Sequence, residues 1–199
     1  MRGGASIAPG DGSKEGSKVL EKFLQKGMII PDGILGDELP VPGGHAPMEV
    51  QSRRETTWTV EKLLGSKSTT YLWLPYAPGH ISYVESEGLD VLSGTFSGCF
   101  MASYTRDGGR RVCHVDTAAD SGGPAVKEKW ASIKEESTVN LLKEFKPFDH
   151  YSKGYQPGGV KVYGLITAEE GCYMIATTKV GGNKEALKNR DKVLSVVKV

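Results

Sequence analysis

Two β-like runs flank an Asp-Gly turn in the middle of the chain, and this stretch restricts the fold more than any other. Phe100-Met-Ala-Ser-Tyr-Thr-Arg106 leads into Asp107-Gly-Gly109, and Arg110-Arg-Val-Cys-His114-Val-Asp116 leads out. Asp-Gly between alternating β-formers is a strong hairpin signal, because both central turn positions need positive φ. With Asp107 and Gly108 as the turn, Arg106 pairs with Gly109. The register then sets His114 opposite Met101 and Cys99 opposite Asp116. Directly paired residues share a face and side chains alternate along a strand, so Cys99, His114 and Asp116 point the same way. Cys99 and His114 become diagonal neighbours, roughly 7 Å apart at the backbone and within reach of an imidazole. A slip of one residue places them on opposite faces.

Spacing alone leaves two readings of Cys99 open, a core residue, since cysteine is among the most buried types, or a nucleophile. Gly94, Ser97 and Gly98 bear on the choice. Glycine weakens a strand unless some backbone must come close to it. A catalytic thiol has that need, because an oxyanion is held by free backbone N–H groups beside the nucleophile.

At 199 residues the chain fits a single domain with a real core. Its 25 Lys and Arg against 24 Asp and Glu give a net charge of +1, which sets aside nucleic-acid binding driven by a strong charge field. Three cysteines are an odd count in a chain too long to depend on staples, so they are expected as thiols in a reducing compartment. No segment has the apolar length of a membrane span. Met1–Gly10 lacks the apolar core of a secretory signal. The expectation is a soluble, monomeric chain without a Sec signal and without a membrane or nucleic-acid partner.

Residues 1–16 read as a flexible leader rich in Gly and Ser, and 17–199 as the folded domain. A short helix is expected from Ser17, its N-cap, to Gly27, its stop, with Val19, Leu20, Phe23 and Leu24 on one face. Pro31–Pro47 is too rich in proline and glycine for helix or central strand and reads as a long loop carrying His45. Glu55–Val60 alternates weakly. Thr69–Pro75 reads as a buried strand, Ala77–His80 as a turn and His80–Glu85 as a strand. Asp120-Ser-Gly-Gly-Pro124 suits the opening of a helix, with proline in its first turn. That reading is preferred to a chymotrypsin-like nucleophile segment, whose surrounding order of histidine, aspartate and strands is missing.

Ala125–Phe145 is expected as one helix or two, with Trp130, Ile133, Leu141, Leu142 and Phe145 on the apolar side. His150 falls in the connection that follows. Val160–Thr167 and Cys172–Lys179 form a second hairpin turned at Ala168–Gly171, a short polar helix starts at Asn183, and Val193–Val199 is a last strand. About seven strands and three helices, without strand–helix alternation, predict an α+β fold. The expected architecture is a mixed β-sheet sandwich flanked by helices and long loops. There is no CxxC, HExxH, Walker loop or dinucleotide fingerprint. A zinc site from Cys99, Cys113 and His114 fails on parity, so neither metal nor cofactor is expected.

At Phe96-Ser-Gly-Cys99 and Val112-Cys-His114-Val-Asp116 the chain resembles the cytotoxic necrotizing factor-type glutamine deamidases, and within them the Burkholderia lethal factor branch. Leu72-Trp-Leu-Pro-Tyr76 is similar to the segment upstream of that family's nucleophile. His114-Val-Asp is similar to its His-Ile-Asp, and Gly164-Leu-Ile-Thr167 and Ala176-Thr-Thr178 are similar to later segments. The likeness runs from Tyr71 to Thr178.

The resemblance implies a mixed α/β sandwich and a Cys-His protein glutamine deamidase, a toxin or virulence effector acting in a host cytosol. Its substrate would be a host protein, a Rho-type GTPase or a translation-initiation helicase. Cys99 is the implied nucleophile and His114 its base, with backbone support at Ser97 and Gly98. The family's orienting threonine, six residues before the cysteine, falls on Ser93, which keeps the hydroxyl. Thr95 and a backbone carbonyl are the other candidates. Asp116 ranks as structural or His-supporting, because a carboxylate opposite Cys99 raises the thiol pKa. The alternatives are another Cys-His hydrolase, such as a cysteine peptidase, and a catalytically silent binding module of the same fold.

Overall fold

Runs of β-branched and aromatic residues punctuated by turn residues should make strands, and twelve are present among the described residues. The computed structural model describes residues 20, 24–30, 35–36, 49–52, 55–62, 65–118, 122–152, 159–180 and 190–199, with backbone only for 55–62 and 65–68. They form two sheets. The larger has seven strands, in spatial order β1 (Ile29–Ile30), β12 (Asp191–Lys198), β11 (Cys172–Lys179), β10 (Val160–Ile166), β6 (Asp90–Gly94), β4 (Gly65–Pro75) and β3 (Glu55–Lys62). The smaller has five: β2 (Glu49–Gln51), β5 (Ile81–Glu85), β8 (Gly109–Val115), β7 (Phe100–Arg106) and β9 (Val139–Phe145). Both are mixed, since β4 pairs with β6 and β2 with β5 in parallel while the other pairs are antiparallel.

Alternation along the strands sorts the apolar side chains into three layers. Between the sheets lie Leu72, Leu74, Val91, Val162, Ile166 and Met174 from the larger sheet, against Val84, Met101, Val112 and Phe145 from the smaller. On the outer face of the larger sheet Tyr71, Trp73, Leu92, Tyr163, Leu165 and Ile175 pack with Leu20 and Leu24. Strand β4 is therefore apolar on both faces, as its unbroken Tyr71–Leu74 run suggests. The outer face of the smaller sheet carries Ile81, Ala102, Tyr104, Cys113 and Val115. The helix α1 (Gly123–Glu135) closes that face with Val126, Trp130 and Ile133, residues spaced to share one side of a helix. The result is a mixed-sheet sandwich of α+β class. Among the described residues a single α-helix of several turns flanks it, fewer than expected.

Both predicted hairpins form, the first in the predicted register. Arg106 pairs with Gly109 and Met101 with His114. Asp107 and Gly108 take φ of 52° and 80°, the left-handed pair that a two-residue turn needs. In the second hairpin Ile166 pairs with Cys172. Helix α1 opens after Gly122, at φ 90°, with Pro124 in its first turn.

The helix expected to continue to Phe145 stops at Glu135, because 139–145 is the strand β9 on the edge of β7. Leu141 is 40 % exposed there, not core. Local sequence favours neither state strongly in Val139-Asn-Leu-Leu-Lys-Glu-Phe145; the open backbone edge of β7 does, and tertiary pairing overrides propensity. Strands β1, β2 and β6 were likewise not expected, being short or dependent on a distant partner. Leu24 N–H donates to the Leu20 carbonyl at 3.1 Å, a helical spacing. The 1–16 leader, most of the Ser17–Gly27 helix, most of Pro31–Pro47 with His45, Asp120 with Ser121, and the Asn183 helix lie outside the described residues.

Candidate active site

The chain changes sheets between Gly94 and Phe100. Strand β6 belongs to the larger sheet and β7 to the smaller, so Ser93 and Cys99 stand on opposite sides of the inter-sheet gap, both buried. His114, on β8, shares the inner face with Met101. At this point a side chain of the larger sheet meets one of the smaller, with Ser93 Oγ 2.9 Å from His114 Nδ1. Ser93 Oγ also lies 2.7 Å from the Leu74 carbonyl on β4.

That pair of contacts fixes the imidazole's tautomer. A carbonyl only accepts, so the single hydroxyl proton of Ser93 goes to Leu74, and the serine oxygen must accept from His114 Nδ1–H. Nε2 is then the unprotonated nitrogen. It is buried and, among the described residues, has no hydrogen-bond partner, which leaves one basic lone pair free inside the sandwich. Phe96 stacks on the ring at 4.0 Å between centroids and 12° between planes, and Tyr76 approaches it at 5.1 Å. Burial pushes the His114 pKa down to about 3, with Asp116 opposing part of the fall. The imidazole is neutral at physiological pH.

Close approach is what lets Phe96 reach the ring. A Cβ on Gly164 of β10 would lie 2.7 Å from Met101 Sδ, 2.8 Å from Pro147 Cγ and 3.2 Å from the Phe96 ring. Ser82, which pairs with His114 on the neighbouring β5, donates to the Pro75 carbonyl at 2.6 Å. The end of β4 thus receives one serine from each sheet.

Cys99 is 4 % exposed. Its thiol donates to Asp116 Oδ1 at 3.5 Å rather than to His114. Asp116 is fully buried and accepts two backbone N–H groups, Gly79 on Oδ2 at 2.7 Å and Ala118 on Oδ1 at 2.9 Å. Burial, with the neighbouring Asp116 charge, pushes the Cys99 thiol up to about 11, while the Thr117 backbone N–H pulls the other way. Cysteine and histidine are therefore both neutral at rest, a thiol and an imidazole rather than an ion pair.

Of the residues proposed from sequence, Ser93, His114, Cys99 and Asp116 come together. Thr95 and Ser97 are exposed and Gly98 is half-buried. Thr95 is displaced as an orienting candidate, since Ser93 makes the bond to His114. The Gly98 carbonyl accepts the Thr117 hydroxyl at 2.9 Å. His80 is buried in its turn, with Nδ1 donating to the Pro78 carbonyl at 2.6 Å, and takes no part in the pair. Cys113 faces the helix layer, away from Cys99. Phe96, Tyr76 and Thr117 are site residues that the sequence does not single out: Phe96 and Tyr76 fall inside the segments Phe96-Ser-Gly-Cys99 and Leu72-Trp-Leu-Pro-Tyr76 without a role attached, and Thr117 follows Asp116 with no signal.

All three cysteines are free. Among the described residues no group of three His, Cys, Asp or Glu side chains could hold a metal ion, and no helix is long and apolar enough to cross a membrane. Comparisons with protein-family models, with curated proteins and with solved structures find no match for this chain.

Proposed function

We propose that the chain is a cysteine-dependent protein glutamine deamidase. The observation that carries this reading is the buried histidine whose Nδ1 is committed to Ser93 and whose Nε2 is left basic and unpartnered, on the same strand face as a buried cysteine. A thiol–imidazole pair needs that division, with one nitrogen held and one free to move a proton. The likeness in the Ser-Gly-Cys and His-Val-Asp segments supplies the amide as substrate class.

In the proposed reaction His114 Nε2 takes the Cys99 proton as Sγ bonds to the carboxamide carbon, and the carbonyl becomes an oxyanion. Backbone N–H groups at Gly98 and Cys99 face that charge. The Nε2 proton passes to the amine as the C–N bond breaks, releasing ammonia and leaving a thioester. Water, deprotonated by the same nitrogen, then hydrolyses the thioester, and glutamine has become glutamate. No metal or cofactor takes part in this scheme. The partner would be a host protein, a Rho-type GTPase or a translation-initiation helicase, met in a host cytosol. That cytosol would keep Cys99 reduced.

The test incubates host-cell lysate with wild type and with Cys99→Ser and reads intact protein masses. Glutamine-to-glutamate conversion only with wild type is the expected result; no converted protein sinks the reading, and cleaved fragments replace it with a peptidase. A second reading, a catalytically silent binding module, is favoured by one observation, the thiol's bond to Asp116. Complete inertness of Cys99 to iodoacetamide under conditions where the chain still binds a host protein would support it.

A further inference from the structure

Cys99 and His114 share a face, yet the thiol proton is given to Asp116 while the histidine's basic nitrogen has no partner. A thiol has one proton to donate, so it serves one acceptor at a time. We propose that Cys99 has two positions, a resting one on Asp116 and a reactive one on His114, and that Asp116 is the positioning residue that keeps the thiol protonated until substrate enters. The inference rests on Cys99 being the nucleophile and adds the control of that nucleophile.

The carboxylate is built for the resting position. Its two oxygens receive the Gly79 and Ala118 N–H groups, and donors on both oxygens favour the ionised form. These bonds also fix it in place, tying the Ala77–His80 turn to the segment that leads to α1. Asp116 N–H adds a bond to the His80 carbonyl at 3.2 Å. An anion held this firmly attracts a thiol and repels a thiolate. When the thiol turns to Nε2 its proton passes to the imidazole, and the thiolate that results is attracted by the imidazolium and repelled by Asp116, so it does not return to the resting contact.

The groups around the thiol are consistent with a neutral resting state. Asp116, at the end of β8, and His114, on β8, are titratable side chains on its face, Tyr76 packs beside His114, and Cys172 of the opposite sheet belongs to the same apolar cluster. His80, in the turn that Asp116 anchors, is directed to the Pro78 carbonyl. From the opposite sheet Leu74, Val91 and Val162 share its apolar cluster, and β6 contributes the Ser93 hydroxyl. The Thr117 N–H is the nearby donor that favours the thiolate, the Thr117 hydroxyl proton being given to the Gly98 carbonyl.

The experiment titrates the full chain by thiolate absorbance, taking wild type minus Cys99→Ser, and follows iodoacetamide labelling of Cys99 by peptide mass in wild type and Asp116→Asn. The expected wild-type midpoint lies above that of a free thiol, which is about 8.5. Labelling of Asp116→Asn at neutral pH should be faster, about tenfold for each unit by which the thiol's pKa falls. A midpoint at or below the free-thiol value overturns the proposal. So does a folded Asp116→Asn that labels no faster. If Asp116→Asn does not fold, the wild-type midpoint decides alone. Glutamine conversion with a low midpoint keeps the deamidase and discards the resting position; a high midpoint and fast Asp116→Asn labelling without any converted target does the reverse.

Discussion

Ser93 and His114 sit on different sheets, and their side chains meet at 2.9 Å across the sandwich core. Because Ser93 is already spent as a donor on the Leu74 carbonyl, this contact sets the histidine's tautomer as well as its position. The imidazole is thus held by packing between layers, and its properties depend on residues far apart along the chain.

Ser93→Ala removes the acceptor for Nδ1–H and strands two buried groups. A loss of about 1–3 kcal/mol in stability is expected, and, under the proposed deamidation, a kcat at least roughly tenfold lower with KM little changed. Ser93→Thr, which restores the hydroxyl, should recover most of the rate. Long-range proton–nitrogen NMR checks the cause directly: wild type should show Nδ1 protonated and Nε2 bare, and Ser93→Ala a mixture of tautomers.

His114 should stay neutral through the physiological range, since burial lowers its pKa to about 3. Its folded value lies below the unfolded one, about 6.5, so the unfolded state binds the proton first. Stability therefore falls as pH drops from about 6.5 toward 3, by at most about 1.4 kcal/mol per unit. Urea titrations across that range should show the decline, and His114→Phe should flatten it. An acid slope unchanged by His114→Phe would remove histidine as its source.

Phe96→Ala deletes the ring stacked on His114 and opens space in the inter-sheet core. The expected cost is about 3–5 kcal/mol. Water admitted beside the imidazole should also raise the His114 pKa toward its ordinary value, which an NMR pH titration reads. Phe96→Leu should cost less stability and yet still shift that pKa, separating cavity from stack.

Gly164→Ala adds a methyl where Met101 Sδ and Pro147 Cγ stand within 3 Å. Met101 can turn aside, but the Pro147 ring cannot. Overpacking of about 1–3 kcal/mol is expected in the denaturant midpoint, together with a chemical-shift change at His114 relayed through Phe96. A neutral substitution would mean that the two sheets separate more easily than their packing implies.

Period-two patterning and turn chemistry carried most of what was legible beforehand. The Asp107-Gly108 turn specified the β7–β8 register to the residue, and the Ala168–Gly171 segment marked the turn between β10 and β11. Helix α1 was legible at its opening, where Gly122 and Pro124 leave little choice, and illegible at its end. In 139–145 the same residues suit helix or strand, and the vacant edge of β7 settled the matter. Strand β6 was hidden because its five residues are defined by partners on β4 and β10, both remote in sequence.

For the site, the sequence by itself determined that Cys99, His114 and Asp116 lie on one face, because a known turn and an alternation of two leave no freedom. It could also place a hydroxyl at Ser93. Which sheet lies opposite that face, and which of its atoms come within bonding distance, depends on how two layers pack. Only the tertiary structure brought Ser93 to Nδ1, laid Phe96 on the ring and turned the Cys99 thiol to Asp116 instead of His114. Alternation specifies direction along a strand, whereas contact across a sandwich is decided by side-chain volumes on both sheets at once.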